Sequence, residues 1–502
     1  MFRNAMCSTA IVTILAASSA FADVTPEEVW ENWQAMSTSA GQELTVGGSA
    51  RNGDTLEVSD IVITHKDPMG GTASVVFDKL SFKDNGDGTV TVMMPESFPM
   101  AMAFPPEVAG ENPGSMKLRV SQPGMTIKAG GSATETAYEF TAPTSIIMLE
   151  ELIDASGAPV DTKAELVMAE SAGKYVVTRD GENTTLDSAF SVKAMSLNIE
   201  GKDEGGSGTA SLSLVDVAMK MKGNVLSPDA MANMALALNS GFTMDMGIGF
   251  GGLSLAVDAV SPTGPAKVKF DTNGGGLDIV LNKELLDYGI SFAQTQLVVS
   301  GPDIPFPEVQ VGLGELGFRI MGPVSKADAP QDFAYLTKLV DITTSEEVWG
   351  MFDPSGTLSR APVTFVVDVT GTGFWNQDVM DPAVTLDTID APGELHTLNL
   401  TELRAKAAGA DVSATGGLTF DNADRVTFGG VPKPEGKITV NILGVNALID
   451  NLISMGLLPE DEAMGFRMGL AMFARPGAGP DELVSELEFR DGGLFANGQQ
   501  IW

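Results

Sequence analysis

The sequence predicts a mainly β protein, a β-rich α+β fold with large curved antiparallel sheets and a few peripheral helices. Apolar and polar residues alternate with a period of two in many segments, and turn dipeptides separate these segments. Glycine accounts for 56 of 502 residues, above the background of about 7%. Strands buried on both faces read as continuous apolar runs, so alternation indicates antiparallel sheets with one covered face.

The N-terminal 22 residues are typical of a secretory signal peptide. Arg3 supplies a positive start, the stretch 5–17 is apolar, and Ala20-Phe21-Ala22 fits a cleavage site. We expect cleavage after Ala22 and a periplasmic location. Cys7, the only cysteine, lies within this segment, so the exported chain is predicted to contain no disulfide bond.

Helices are predicted to be few. Thr25-Pro26-Glu27-Glu28 combines an N-cap, a proline at the first helical position and a capping-box glutamate, which predicts a helix over 25–38. Five of the six residues from 25 to 30 recur at 344–349, which leaves open whether the chain contains a structural repeat. Other starts and apolar faces predict a helix over 227–238 and a helical pair over 444–457 and 459–473.

Strands are predicted along most of the remaining chain. The clearest alternation places Phe242, Met244, Met246, Ile248 and Phe250 on one face. We divide the chain into a β-rich region over 23–340 and a second over 341–502 that includes the helical pair, with one continuous elongated domain as the alternative. Further predicted apolar faces are Val215/Val217/Met219/Met221, Val363/Phe365/Val367/Val369 and Ile438/Val440/Ile442; predicted hairpin turns are Asn52-Gly53, Asn85-Gly86, Asp87-Gly88, Asp180-Gly181, Asn273-Gly274 and Asp491-Gly492.

The charge excludes several partners. The chain has 66 acidic and 30 basic residues and a formal net charge of -36. This charge repels nucleic acid and anionic lipid headgroups. Mean hydropathy is nevertheless +0.11 and 43% of residues are hydrophobic, so a folded chain with a large apolar interior is expected. No later apolar run is long enough for a membrane helix, so the sequence predicts no integral membrane segment after the signal peptide.

The sequence predicts no catalytic, cofactor-binding or metal-binding residues, and we expect a protein that is not an enzyme. The two histidines, His65 and His396, fall on separate predicted strands. Asp84 to Gly88 is rich in oxygen ligands but does not fit the register of an EF-hand loop, so only weak calcium binding stays open.

Methionine and phenylalanine dominate the apolar residues, with 26 and 24 copies against 5 tryptophans and 4 tyrosines. Flexible thioethers suit surfaces that accommodate variable apolar shapes. Two interpretations stay open, ordinary core packing and a groove for acyl chains. The methionine-rich segments in question contain Met93, Met94, Met100, Met102 and Phe104, and Met244 and Met246.

The C-terminal third contains distinctive segments at residues 352–358, 444–449 and 456–459 and a closing segment at 489–498. In these segments the chain resembles the alphaproteobacterial domain of unknown function 2125, and the resemblance extends more loosely to the N-terminal half. The closing segment is also similar to the end of AsmA-like bacterial envelope proteins. That similarity implies a long curved sheet whose apolar inner surface handles lipids.

We therefore expect a non-catalytic periplasmic envelope protein that binds lipid or another apolar ligand in a groove between β-sheets. The oligomeric state is left open. An outer-membrane β-barrel is one alternative, suggested by the alternating strands and the terminal Trp502. A secreted hydrolase that uses paired carboxylates is the other.

Overall fold

A single antiparallel sheet dominates the computed structural model. The structure describes residues 23–39, 41–67, 70–105, 113–132, 134–181, 183–203, 205–226, 230–231, 233–385 and 392–502. The predicted signal peptide and the predicted helix start at 227–229 lie outside these residues. Within them, 27 strands join one sheet, which confirms the predicted mainly β class.

The strands follow one another along the sheet with few crossovers. The first nine are β1 (Gln42–Thr45), β2 (Gly48–Asn52), β3 (Thr55–Lys66), β4 (Thr72–Asp84), β5 (Val90–Met93), β6 (Ser97–Phe104), β7 (Gly114–Ser121), β8 (Thr126–Gly131) and β9 (Glu135–Ile153). The central ones are β10 (Thr162–Asp180), β11 (Asn183–Asp203), β12 (Gly206–Val225), β13 (Met244–Phe250), β14 (Gly252–Ser261), β15 (Gly264–Thr272), β16 (Gly275–Leu281), β17 (Leu286–Ser300), β18 (Val309–Gly322) and β19 (Gln331–Thr344). The last are β20 (Val363–Trp375), β21 (Gly393–Ala407), β22 (Ala410–Asp421), β23 (Lys433–Leu443), β24 (Arg475–Pro476), β25 (Glu482–Arg490), β26 (Gly493–Ala496) and β27 (Gln499–Gln500).

Several long strands lie beside two shorter ones. Strand β12 pairs with both β13 and β14, and β17 pairs with both β15 and β16. Similarly, β4 pairs with β5 and β6, and β9 pairs with β7 and β8. Strand β19 crosses the predicted boundary between residues 340 and 341, so the sheet continues from one predicted region into the other.

The interruptions of the strands line up across the sheet. Asp60, Glu170, Asp216, Gln294 and Asp341 lie inside β3, β10, β12, β17 and β19 with φ between 49° and 55°. A non-glycine residue in this left-handed region departs from the extended path. Such residues lie in register on alternate strands, since Glu170 of β10 and Asp216 of β12 both lie opposite Lys193 of β11. We call this line of left-handed residues and strand breaks the crease.

The crease resets the alternation of side chains. In β12 the partly exposed apolar positions are Leu212 and Leu214 before Asp216, and Met219 and Met221 after it. The prediction that Val215 shares a face with Met219 is therefore wrong, and Val215 is 43% exposed. The left-handed residue shifts the alternation of the following side chains by one residue. As a result, both halves of the strand turn their apolar side chains to the same face of the sheet.

Burial shows which way the sheet folds at the crease. Glu170, Lys193 and Asp216 are exposed, whereas the neighbouring residues of the apolar face are buried, with Ala142 only 3% and Val192 only 2% exposed. The crease residues therefore lie on the convex side and the apolar face on the concave side. We call the concave apolar face, on both sides of the crease, the trough.

The N-terminal end of the trough is filled. Helix α1 (Pro26–Ser39) follows the predicted capping box, in which Glu28 accepts a hydrogen bond from the N–H of Thr25 at 2.8 Å. Its Trp30 and Trp33 rings lie 5.7 and 5.6 Å from the ring of Phe82. The predicted helix over 25–38 is confirmed, and it covers a core that includes Leu56, Val58, Ile61, Leu80, Phe82, Val90, Val92 and Tyr138.

The other helices are short or peripheral. They are α2 (Met234–Asn239), α3 (Glu346–Trp349), α4 (Val445–Ser454) and α5 (Glu460–Phe473). The prediction of a helical pair is confirmed, whereas the repeated start at 344 gives one turn only. In the described ranges no helix combines the length and the apolar character needed to cross a membrane.

We predict that the crease tolerates only residues that accept a left-handed backbone. Glu170→Val should lower the free energy of unfolding by about 1–2 kcal/mol, because a β-branched side chain is strained at positive φ. Glu170→Gly should not lower it by this amount. Urea unfolding measures the change, and Glu165→Val, at an exposed position of the same strand, is the control. Equal losses for both valine variants would contradict the role of the crease.

Candidate functional site

Cross-strand register aligns apolar side chains into rows across the trough. One row crosses thirteen strands, from β9 to β23, and contains no charged residue. With strands about 4.8 Å apart, it is roughly 60 Å long. Each member pairs with the next: Phe140, Gly173, Phe190, Met219, Ile248, Leu277, Ile290, Phe318, Thr337, Val367, Leu403, Ala414 and Val440.

The trough is open along this row. Phe190, Met219, Ile248 and Phe318 are all partly exposed, in contrast to the fully buried residues beneath α1. Large apolar side chains are thus held on a concave surface without a layer of protein above them. The sequence left open whether the interior is packed or hollow. The structure shows it packed at the N-terminal end, open along the row, and packed again in a small cluster around Leu238, Leu281 and Val324.

Two glycines bring aromatic rings close to the backbone of the trough. A Cβ atom on Gly173 would lie 2.3 Å from Cε1 of Phe140, and one on Gly275 would lie 2.6 Å from Cζ of Phe250. Position 275 requires glycine, because a Cβ atom there would also lie 2.7 Å from the carbonyl oxygen of Ser291, whereas at Gly173 only the Phe140 ring would have to move. The aromatic rings cover the backbone at these glycines, so the surface of the trough stays apolar where a strand lacks a side chain.

A pocket deepens the trough at strands β18 to β21. It has a volume of about 570 Å³, within the range of small-molecule sites, and Glu394 is the one charged residue among its described lining residues. The Trp375 indole N–H donates to the carbonyl of Pro323 at 2.8 Å, which fixes the ring. We call this the aromatic pocket; its lining includes Ile320, Phe333, Tyr335, Phe374, Trp375 and Met380.

A larger depression, of about 1110 Å³, lies mainly on the opposite, convex face. In one row there, Lys174, Ala189, Lys220 and Gly247 pair in succession, and their side chains point away from the trough. The depression exists because alanine, serine and glycine leave space between charged side chains. Lys174 forms an ion pair with Glu139 at 3.3 Å within this depression, whereas most of its lining surface is apolar.

The convex face carries the charge of the protein. Cross-strand ion pairs include Lys79–Glu57 at 2.8 Å and Arg319–Asp287 at 2.7 Å. With 66 acidic residues against 30 basic ones, most acids have no basic partner to neutralise them. The protein therefore presents a negative convex face and an uncharged concave row.

Asp353 is a carboxylate that is fully buried. It accepts hydrogen bonds from the N–H groups of Thr357 at 2.9 Å and Leu358 at 2.8 Å, and it pairs with Arg360. Burial alone would raise the pKa of Asp353, but the Arg360 guanidinium and these N–H groups outweigh burial and lower the pKa to about 2. Its partners identify Asp353 as an anchor of the loop after α3.

The residues singled out by the sequence are distributed over several places. His65 lies in β3 and His396 in β21, and in the described parts of the chain no group of three histidine, cysteine, aspartate or glutamate residues is arranged to hold a metal ion. Met244 and Met246 lie in the trough strand β13, whereas Met93 is exposed and Met94 packs against the core beneath α1.

Sequence reasoning missed the aromatic pocket. Four of its aromatic residues, Phe333, Tyr335, Phe374 and Trp375, lie within β19 and β20. Their local concentration was the available signal. These residues form a pocket only because Val379 and Met380, which follow β20, pack against the cluster that includes Val324. The Val379 N–H donates to the Val324 carbonyl at 3.1 Å.

Comparison with known families covers the C-terminal part of this architecture. Residues 286–500 match a family described as an uncharacterized protein conserved in bacteria (DUF2125). The predicted resemblance is confirmed for this stretch. It runs from β17 to β27 and contains the aromatic pocket and helices α4 and α5. No curated protein and no solved structure matches the chain. The similarity to AsmA-like proteins stays a prediction.

We predict that Asp353 stabilises the protein above its unfolded pKa of about 4. Because its folded pKa is lowered to about 2, this stabilisation is lost as the pH falls from about 4 to about 2. Asp353→Asn should reduce stability at pH 7 and flatten the pH dependence in this window. Thermal unfolding at a series of pH values tests this, with the exposed Asp332→Asn as control. An unchanged pH profile for Asp353→Asn would refute the assignment.

Proposed function

We propose that this protein is a non-catalytic, periplasmic protein of the bacterial envelope that binds lipid or another apolar ligand in its trough. The observation that carries the proposal is the uncharged row across thirteen strands, in which most members are partly exposed apolar side chains. An exposed apolar surface of this extent is typical of a binding site.

The dimensions of the trough favour a long, flexible, apolar ligand. The row is roughly 60 Å long at the usual strand spacing, several times longer than a compact small molecule. Methionine, leucine, isoleucine and phenylalanine supply contacts without fixed polar positions, which suits acyl chains of varying shape. The aromatic pocket adds a partly open site of about 570 Å³ along the same face.

Two features support the proposed location and the absence of catalysis. The predicted signal peptide at 1–22 supports export to the periplasm. The buried carboxylate of Asp353 has its hydrogen-bonding capacity taken up by the loop that it anchors, which leaves it unsuited to acid–base chemistry on a ligand.

Purification from the native envelope tests the proposal directly. Protein isolated without detergent should release apolar molecules on extraction with organic solvent, and mass spectrometry should identify them. Cell fractionation should place the protein in the periplasmic fraction. Protein that releases no apolar molecule and takes up no fluorescent fatty-acid analogue would refute ligand binding.

Adjacent residues on opposite faces provide a matched pair of variants. Met219 lies in the trough, whereas Ala218 is exposed on the convex face. Met219→Glu places a charge where the ligand lies and should weaken binding of a fluorescent fatty-acid analogue by at least about tenfold, because burying an unpaired charge is costly. Ala218→Glu adds the same charge to an already acidic surface and should leave binding unchanged. Equal effects of the two variants would contradict a site in the trough.

A further inference from the structure

Helix α5 exposes one apolar side to solvent. Met464, Met468 and Met472, at helical spacing of four residues, are 64%, 68% and 61% exposed. We call these three methionines the helix patch. Phe466 and Phe473, on another side of the helix, and Leu457, in the turn before it, are exposed as well. These exposed residues make the outer surface of the helical pair far more apolar than that of an ordinary solvent-exposed helix.

The opposite side of α5 holds it to α4. Ala463 is buried, and Arg467 donates to Asp450 of α4 at 2.6 Å. The single base in the body of the helix is thereby directed away from the helix patch. The acidic residues of α5 are confined to its first turn, at 460–462. The helix patch itself consequently carries no charge.

The charge pattern selects the kind of partner. A second copy of the chain brings another net charge of -36 and another acidic first turn, which oppose close approach. A charged protein partner would require opposite charges in the patch, which has none. The acyl-chain region of a lipid bilayer carries no charge, so it neither repels the protein nor requires charges in the patch. Amphipathic helices bury such faces at the boundary between headgroups and acyl chains.

The helix patch also lies at a suitable place in the fold. Strand β23 ends at Leu443, which lines up through Asp411 and Lys406 with Thr364 on the crease line. There the Asp341 N–H donates to Thr364 Oγ1 at 3.2 Å. The helical pair therefore begins where the crease line reaches β23, close to Val440, the last member of the apolar row.

We propose that the helix patch docks the protein on the surface of a zwitterionic lipid bilayer, with α5 lying in the interface, so that apolar ligands pass between bilayer and trough. The transfer of ligands rests on the proposed function, whereas the docking of the helix patch does not. The apolar contacts would supply the affinity, and headgroup charge would not.

Vesicle flotation tests the docking. The full chain should float with phosphatidylcholine vesicles, and M464Q/M468Q/M472Q should reduce the bound fraction at least about tenfold, as expected when three apolar side chains no longer enter the bilayer. The matched control, M148Q/M351Q/V426Q, changes three exposed apolar residues outside the patch and should float like the wild type. Equal flotation of the two triple variants, or no flotation of the wild type, would overturn the inference.

Two further measurements separate this inference from its alternatives. Replacing part of the phosphatidylcholine by phosphatidylglycerol should weaken binding, because the protein is acidic; stronger binding would overturn docking through an uncharged patch. Light scattering without vesicles should show the same mass for the wild type and for M464Q/M468Q/M472Q. A larger wild-type mass that the variant abolishes would assign the patch to contact between copies and overturn docking.

Failure of docking and failure of the proposed function have different signatures. M464Q/M468Q/M472Q should bind a fluorescent fatty-acid analogue in solution as the wild type does, because the trough is unchanged. Analogue binding without flotation of the wild type would refute docking and leave the trough as a binding site. Flotation without analogue binding would support docking and refute the proposed ligand site.

Discussion

A line of left-handed backbone positions determines the architecture of this protein. Extended strands of about 20 residues with unbroken alternation would form a wide, gently twisted sheet. Glu170, Asp216, Gln294 and Asp341 interrupt that path in register, so the sheet folds into two walls. Because each interruption also shifts the alternation by one residue, both walls keep their apolar side chains inside. Neither the trough nor its aromatic pocket would exist without this combination.

The same concave face is a core at one end and a surface at the other. Under α1, two tryptophans and the residues around Phe82 fill the space between the walls. Beyond β9, similar side chains of the apolar row lie on the walls without a covering element, whereas α2 covers the ends of β13, β16 and β17 around Leu281. The difference arises from what covers the sheet, since apolar residues follow the register throughout. Charges on the convex face oppose association of such exposed apolar surfaces.

Much of the local structure could be predicted from sequence. The capping box at Thr25, the alternation at Met244 to Phe250 and the glycine turns each follow from short-range rules. The crease could not be predicted, because the alternation rule assumes a constant period, and Asp216 gives no sign of its left-handed backbone. The aromatic pocket escaped for a different reason: it requires Val379 and Met380 to meet Val324, a long-range contact.

The strands of the trough pair with strands that lie close to them along the chain, and this makes the molecule quasi-one-dimensional. Its cross-section is set by the crease, whereas its length is set by the number of hairpins. Adding a hairpin within the open stretch would extend the apolar row by about 10 Å without altering either end. Length and cross-section can thus evolve separately, so that the concave face can be lengthened while its apolar character stays the same.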